Sequence, residues 1–347
     1  MKTKIITSDV ELRSVIPNQI PIVKGEVSLF DKLQSYIAAT EQWVFTTFIP
    51  EALVDEILAN DTLSTLRSSL STIVACEALR RGVPSLDLIL TPNGFATVGS
   101  QNLAVASSVR VDRLIARLVA ERDNAIDYFL SVVPLALPVW LSTFHANFFT
   151  ATLFPTLAVV DEVGVHENRF DKYLELRSQI IDIEESLAEE FFSPELMARL
   201  RLFNLAMFAK TDSSTAPQTS AEDPDEPSGD NRNMTATIST GPGQTLDLNI
   251  KLKVIGEYKS PVVAEGVKLS GLSEESTGRL VRIVNSIRSQ VVGVLRGQTI
   301  NTRRMIDTVN LIRQHPDDFP EWHRSETAKL FAPKVFTNQK EAKGYWF

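Results

Sequence analysis

The chain has 347 residues, 44% hydrophobic and 22% charged, with 35 Lys+Arg against 43 Asp+Glu. That is an ordinary globular balance with room for two or three domains of roughly 100–200 residues, and a net charge of −8 argues against a protein whose main partner is the nucleic-acid backbone. One cysteine, Cys76, excludes an internal disulfide framework and any cysteine-based zinc site.

The opening MKTKIITSDVELR holds no apolar run of signal-peptide length. Val132–Leu141, the most apolar stretch, is far short of the ~20 residues that cross a bilayer and contains Pro134 and Pro138. The expectation is a chain kept in the cytosol, with no membrane partner and a buried bend at Val132–Leu141.

Most segments read as helix. Ser28–Phe48 is apolar at helical spacing, and Pro50 opens the short segment Glu51–Leu58. Asp61 is read as the N-cap of a helix through Arg81 with Leu63, Leu66, Leu70, Ile73 and Val74 on one face, stopped by Gly82 and Pro84. Leu86–Leu90 and Phe95–Val98 flank Pro92-Asn93-Gly94, where Asn-Gly tolerates the positive φ of a tight turn, so a short hairpin is expected. Ser107 or Ser108 caps a helix with Val111, Leu114, Ile115 and Leu118 inward, and a second helical stretch runs from about Asn124 to Val133. Phe144–Val165 fits no single period, whereas Glu167–Phe191 and Pro194–Lys210 read as helices.

Thr211–Asn233 shifts to Ser, Thr, Pro, Gly and acids; it cannot bury enough apolar surface to offset its ordering entropy, and disorder is expected. In Thr245–Ile255, Leu246, Leu248, Ile250, Leu252 and Val254 alternate with polar residues, the mark of a half-buried strand. With Met234–Ser239 and the turn Gly241-Pro242-Gly243 it gives a β-hairpin over 234–256. Ser273 or Ser276 caps a helix carrying Leu280, Ile283, Val284, Ile287 and Val291; another helix covers Thr302–Gln314, and the tail from Pro316 reads as extended.

Two parts of the chain match in order. Phe30-Asp31-Lys32 recurs as Phe170-Asp171-Lys172, and Glu41 with Phe48-Ile49-Pro50-Glu51 recurs as Glu185 with Phe192-Ser193-Pro194-Glu195. Ser107 with Arg113-Leu114-Ile115 recurs as Ser273 with Arg279-Leu280-Val281, and Pro138-Val139-Trp140 as Pro320-Glu321-Trp322. Apolar periodicity does not dictate matches at Pro, Trp and Phe-Asp-Lys. The fold class expected is therefore mainly α with small β-hairpins, in two tandem related helical modules. The first spans 1–141; the second spans 142–347 and carries the acidic loop 211–233, the hairpin 234–256 and the extended tail.

Several segments carry a resemblance. They are the Phe-x-Pro-Glu segment, the Pro92–Phe95 hairpin followed by Ala106–Arg113, the Trp140 segment before a Phe-rich stretch, and Phe336-Thr337-Asn338-Gln339-Lys340. Together the series resembles an uncharacterised family encoded in tailed-phage and prophage structural gene clusters, over nearly the whole chain except Thr211–Asn233. The resemblance implies a virion structural protein of the head–tail connector or adaptor kind, a helical subunit of rings beneath the portal. It brings no catalytic motif, and the duplication departs from single-module adaptors.

Tests for chemistry return little. His145, His166, His315 and His323 form no helical zinc spacing. His315 and His323 flank Asp317, Asp318 and Glu321, for which a solvated loop is the simpler reading. Gly241–Thr245 lacks the Lys-Ser/Thr ending of a phosphate loop and precedes a strand. Glu184-Glu185 and Glu189-Glu190 are read as a solvated helix face, and Cys76 as a buried small hydrophobe. No catalytic, cofactor-binding or metal residue is assigned, and no cofactor is implied.

The candidate interface residues are Phe331, Phe336, Tyr345, Trp346 and Phe347, aromatics in a stretch too short to build its own core, together with Arg282 and Arg288, which avoid the apolar stripe of their helix. The function expected is a non-enzymatic virion subunit, assembled in the host cytoplasm, joining portal and tail. Its partners would be other copies of itself in a ring and portal or tail proteins, with DNA contact left open. The alternative is an intracellular helical protein-binding adaptor outside any virion.

Overall fold

The structure, a computed structural model, describes residues 3–16, 27–86, 88–91, 94–97, 108–211, 231–241, 244–253, 263–264, 268–269 and 273–332. The fold is mainly α. The first half runs α1 (Asp9–Val15), α2 (Leu29–Thr47), α3 (Glu51–Ala59), α4 (Ser64–Leu86), β1 (Leu88–Thr91), β2 (Gly94–Thr97), α5 (Ser108–Ala136) and α6 (Phe144–Thr150). Then come α7 (Ala158–Val163), α8 (Arg169–Leu187), α9 (Pro194–Thr211), β3 (Asn231–Gly241), β4 (Gln244–Lys253), β5 (Val263–Ala264) and β6 (Lys268–Leu269). The last elements are α10 (Glu274–Leu295), α11 (Thr302–Gln314), α12 (Pro320–His323) and α13 (Glu326–Leu330). β1 pairs antiparallel with β2, and β3 with β4 in a register that sets Ile238 opposite Leu246.

Capping explains most helix starts. Ser28 accepts the Asp31 amide and Ser273 the Ser276 amide, so of the two serines proposed for α10 it is Ser273 that caps. At α4 the cap is Asn60, not Asp61: its side chain accepts the Thr62 amide, and a 3-10 turn over Asp61–Leu63 precedes the α-helix.

α4 passes through Gly82 and Pro84 to Leu86 instead of stopping there. Gly82 is a packing residue: a Cβ on it would lie 2.3 Å from Leu33 Cδ2, so α2 packs closely against α4 here. Pro84 falls in the last turn, with only Ser85 and Leu86 after it, so a single carbonyl near the helix end loses its amide donor. The two helical stretches expected over 108–133 are one helix, α5, with Pro134 again near its end.

Residues 316–332 are not extended, because Pro320 and Ser325 start the short helices α12 and α13; the rest of the tail, 333–347, lies outside the described residues. Of the acidic loop 211–233, Thr211 closes α9 and 231–233 open β3, while 212–230 lie outside the described residues.

The buried side chains form one contiguous cluster drawn from both halves, with Trp140, Trp322, Tyr173, Phe48, Phe129 and Phe149 among the largest fully buried. Where the halves meet, Phe48 stacks on Phe149 at 5.8 Å and meets Phe170 at 5.3 Å, and Phe170 meets Trp43 edge-on at 5.9 Å. α5 fixes the start of the second half by its carboxylates: Asp127 accepts the Leu157 amide at 2.7 Å, and Asp123 the Phe170 amide at 3.3 Å. No described helix is long and apolar enough to cross a membrane.

Candidate functional site

Three kinds of anchor recur in the two halves. The Trp140 indole N–H donates to the Phe48 carbonyl at 2.8 Å, and the Trp322 indole to the Phe191 carbonyl at 2.9 Å. Each indole thereby ties the end of a long helix, α2 or α8, to a turn far along the chain. Three residues after each tryptophan a hydroxyl caps the next helix: Thr143 accepts the Ala146 amide and Ser325 the Ala328 amide, both at 3.2 Å. A phenylalanine nine residues after each tryptophan then packs on the same element, Phe149 in α6 against Phe48 and Phe331 just after α13 against Phe191 at 6.2 Å.

The third anchor is a buried carboxylate. Glu41 on α2 accepts the Ile5 and Ile6 amides at 2.7 and 3.2 Å. Glu184 on α8 accepts the Leu153 amide at 2.7 Å and pairs with Arg201 at 3.0 Å. Burial raises both carboxyls above the usual range. The amides and Lys4 oppose it at Glu41; Arg201 and the Leu153 amide oppose it at Glu184. Sequence matching paired Glu41 with Glu185, but Glu185 is exposed and Glu184 is the buried partner. The solvated face expected for Glu184-Glu185 therefore holds only for its second residue.

A charged cluster joins α4, α5 and α8. Glu77 receives Arg80 and Arg81 from its own helix and Arg122 from α5 at 2.9 Å; Arg122 also meets Asp123 at 2.7 Å and Asp171 at 3.5 Å. Burial would raise the Glu77 carboxyl, but the three guanidinium groups outweigh it and hold it down at about 2. Sequence reading missed this cluster. Its signal was Arg122 standing on the inward stripe of α5, between Leu118 and Ile126.

The expected site residues separate. Phe331 packs against Phe191 and Trp322 in the chain's own core. Arg288 is also used internally: it pairs with Glu162 at 2.9 Å and lies 4.7 Å over the Phe154 ring. Arg282 is exposed. Phe336, Tyr345, Trp346 and Phe347 lie outside the described residues.

The residues around His315 and His323 hold the helices together, with Asp318 taking Ser276 and Arg279, and Glu321 taking Arg199. His145 faces the Phe45 carbonyl at 3.0 Å, and His166 pairs with Asp161 on the surface. Among the described residues no group of three or more His, Cys, Asp or Glu side chains is arranged to hold a metal ion. Cys76 is buried 3.9 Å from Glu121, and burial pushes its thiol up to about 12, which makes it a poor nucleophile. An open groove between α4 and α5 is lined by Thr65, Ser68, Ser69, Thr72, Glu121 and Tyr128.

Residues 21–130 match the model of a family described as a family of unknown function (DUF6712). No curated protein and no solved structure matches the chain. The matched stretch runs from just before α2 into α5 of the first half.

Proposed function

We propose that this chain is a non-enzymatic structural subunit of a tailed-phage particle, a head–tail connector or adaptor that joins portal and tail and assembles in the host cytoplasm. It is built as two related helical modules. The observation that carries this is the repeated anchor set, found in both halves: indole to carbonyl, a hydroxyl cap three residues after the tryptophan, and a buried glutamate that accepts backbone amides. These bonds commit the chain's polar side chains to holding helices in fixed positions. The cysteine and most of the histidines sit against structural partners. A frame of that kind suits a protein that others touch, since binding to a rigid surface costs little ordering entropy. The family match within the first half accords with one half being a unit of its own.

The test is cryo-electron microscopy of the purified chain alone and with portal and tail proteins. A closed ring of copies, or a complex with either partner, is the expected result. A chain that stays monomeric and ignores both partners overturns the proposal.

A further inference from the structure

Each half begins with a short lead-in segment seated on its buried glutamate. In the first it is Lys4-Ile5-Ile6-Thr7-Ser8; in the second, Thr152-Leu153-Phe154-Pro155-Thr156. The two apolar residues are buried in both: Ile5 2%, Ile6 1%, Leu153 0% and Phe154 1% exposed. The last residue of each uses its hydroxyl to accept an amide where a helix begins, Ser8 from Glu11 and Thr156 from Ala158.

The sequence after Ala332 carries the string again, as Lys334-Val335-Phe336-Thr337-Asn338. Lysine and threonine stand in the same places as in the first copy, the apolar pair lies between them, and asparagine, another good N-cap, follows. Its position repeats as well. After Trp140 come the Thr143 cap, then Phe149, then Leu153-Phe154; after Trp322 come the Ser325 cap, then Phe331, then Val335-Phe336 at the same spacing.

We infer that Lys334–Asn338 is a third lead-in segment and that it seats on Glu41 of a second copy of this chain, displacing residues 4–8 of that copy. The Glu184 seat is closed to exchange. Its occupant is tied between α6 and α7, and Asn204 and Arg288 both donate to the Leu153 carbonyl. Residues 3–8 are held on the Glu41 seat by Glu41, Glu51 and Asp55 and by Glu11, which takes the Thr7 amide and hydroxyl. Exchange there swaps Lys for Lys and apolar for apolar, so the departing segment's interactions are nearly matched by those of its replacement, the condition under which identical elements trade between copies. This rests on the self-assembly part of the reading above and names the segment that makes the contact.

The experiment mixes full-length chains in ordinary and 15N-labelled form and joins amines to carboxylates with a zero-length carbodiimide. Thr3 contacts Glu51 and Asp55, so mass spectrometry should find Lys334 linked to Glu51 or Asp55 of the differently labelled copy. Light scattering should show association that Phe336→Asp weakens at least tenfold and that Phe144→Asp, at an exposed phenylalanine away from the seat, leaves unchanged. Links confined to single copies overturn the inference. Association unaffected by Phe336→Asp overturns it while leaving self-assembly standing, and a chain monomeric at every concentration overturns both.

Discussion

Glu41 and Glu184 solve the same problem with different means. Glu41 keeps a sliver of exposure, 6%, and is held by two amides with Lys4 nearby; Glu184 is wholly buried and has one amide and Arg201. A carboxylate at the edge of the core can be satisfied by hydrogen bonds, whereas one sealed inside needs a full opposite charge. The two buried glutamates thus carry two levels of charge compensation, and Glu184 depends more on its ion pair.

The sharpest way to break this comparison is at the tryptophans. Trp140→Ala and Trp322→Ala should each cost about 3–5 kcal/mol, and by similar amounts, in chemical denaturation monitored by circular dichroism. A large inequality would mean that the two indoles do not do the same job. Arg201→Met should cost about 3 kcal/mol, because it takes the paired guanidinium from a fully buried carboxylate and leaves it the Leu153 amide and the more distant Arg288, while Lys4→Met should cost under about 1 kcal/mol. Equal losses would remove the distinction drawn between the two carboxylates.

Gly82→Ala should destabilise by about 1–3 kcal/mol in the same assay, since Leu33 must move out of the way. Ser193, with φ +66° between the π-helical turn Ala188–Phe192 and α9, sits where a side chain is strained. Ser193→Gly should raise the melting temperature by a degree or two, tempered by losing the Leu196 amide bond to its hydroxyl.

A last effect concerns pH. The Glu77 carboxyl is held down at about 2, against an ordinary value of 4.5. The unfolded chain therefore binds this proton first, and the stability Glu77 contributes is complete above 4.5 and lost as pH falls toward 2. Denaturation midpoints across that window should fall less steeply in Glu77→Gln than in the unaltered chain.

The misaligned glutamate shows where sequence reading stops. Matching on Phe-x-Pro-Glu keyed on Glu51 and Glu195, which are both exposed, and so carried the pairing one residue too far. Pro50 is a cap residue before α3, whereas Pro194 is already the first residue of α9, after the wider π turn. Burial, not residue identity, sets the register: Leu33, Ile37, Glu41 and Val44 keep the same spacing as Leu176, Ile180, Glu184 and Leu187.

The amino-acid sequence by itself determined the long helices, the Ser273 cap and the recurrence of Pro-x-Trp, because 3.6-residue periodicity and capping act between near neighbours. The tertiary structure alone decided that Arg122 and Glu184 are inside, that Phe331 and Arg288 are engaged within the chain, and that Gly82 marks a close crossing. Those outcomes depend on which surfaces meet across long separations, and a charged residue on an apolar stripe reveals its partner only when another helix brings it.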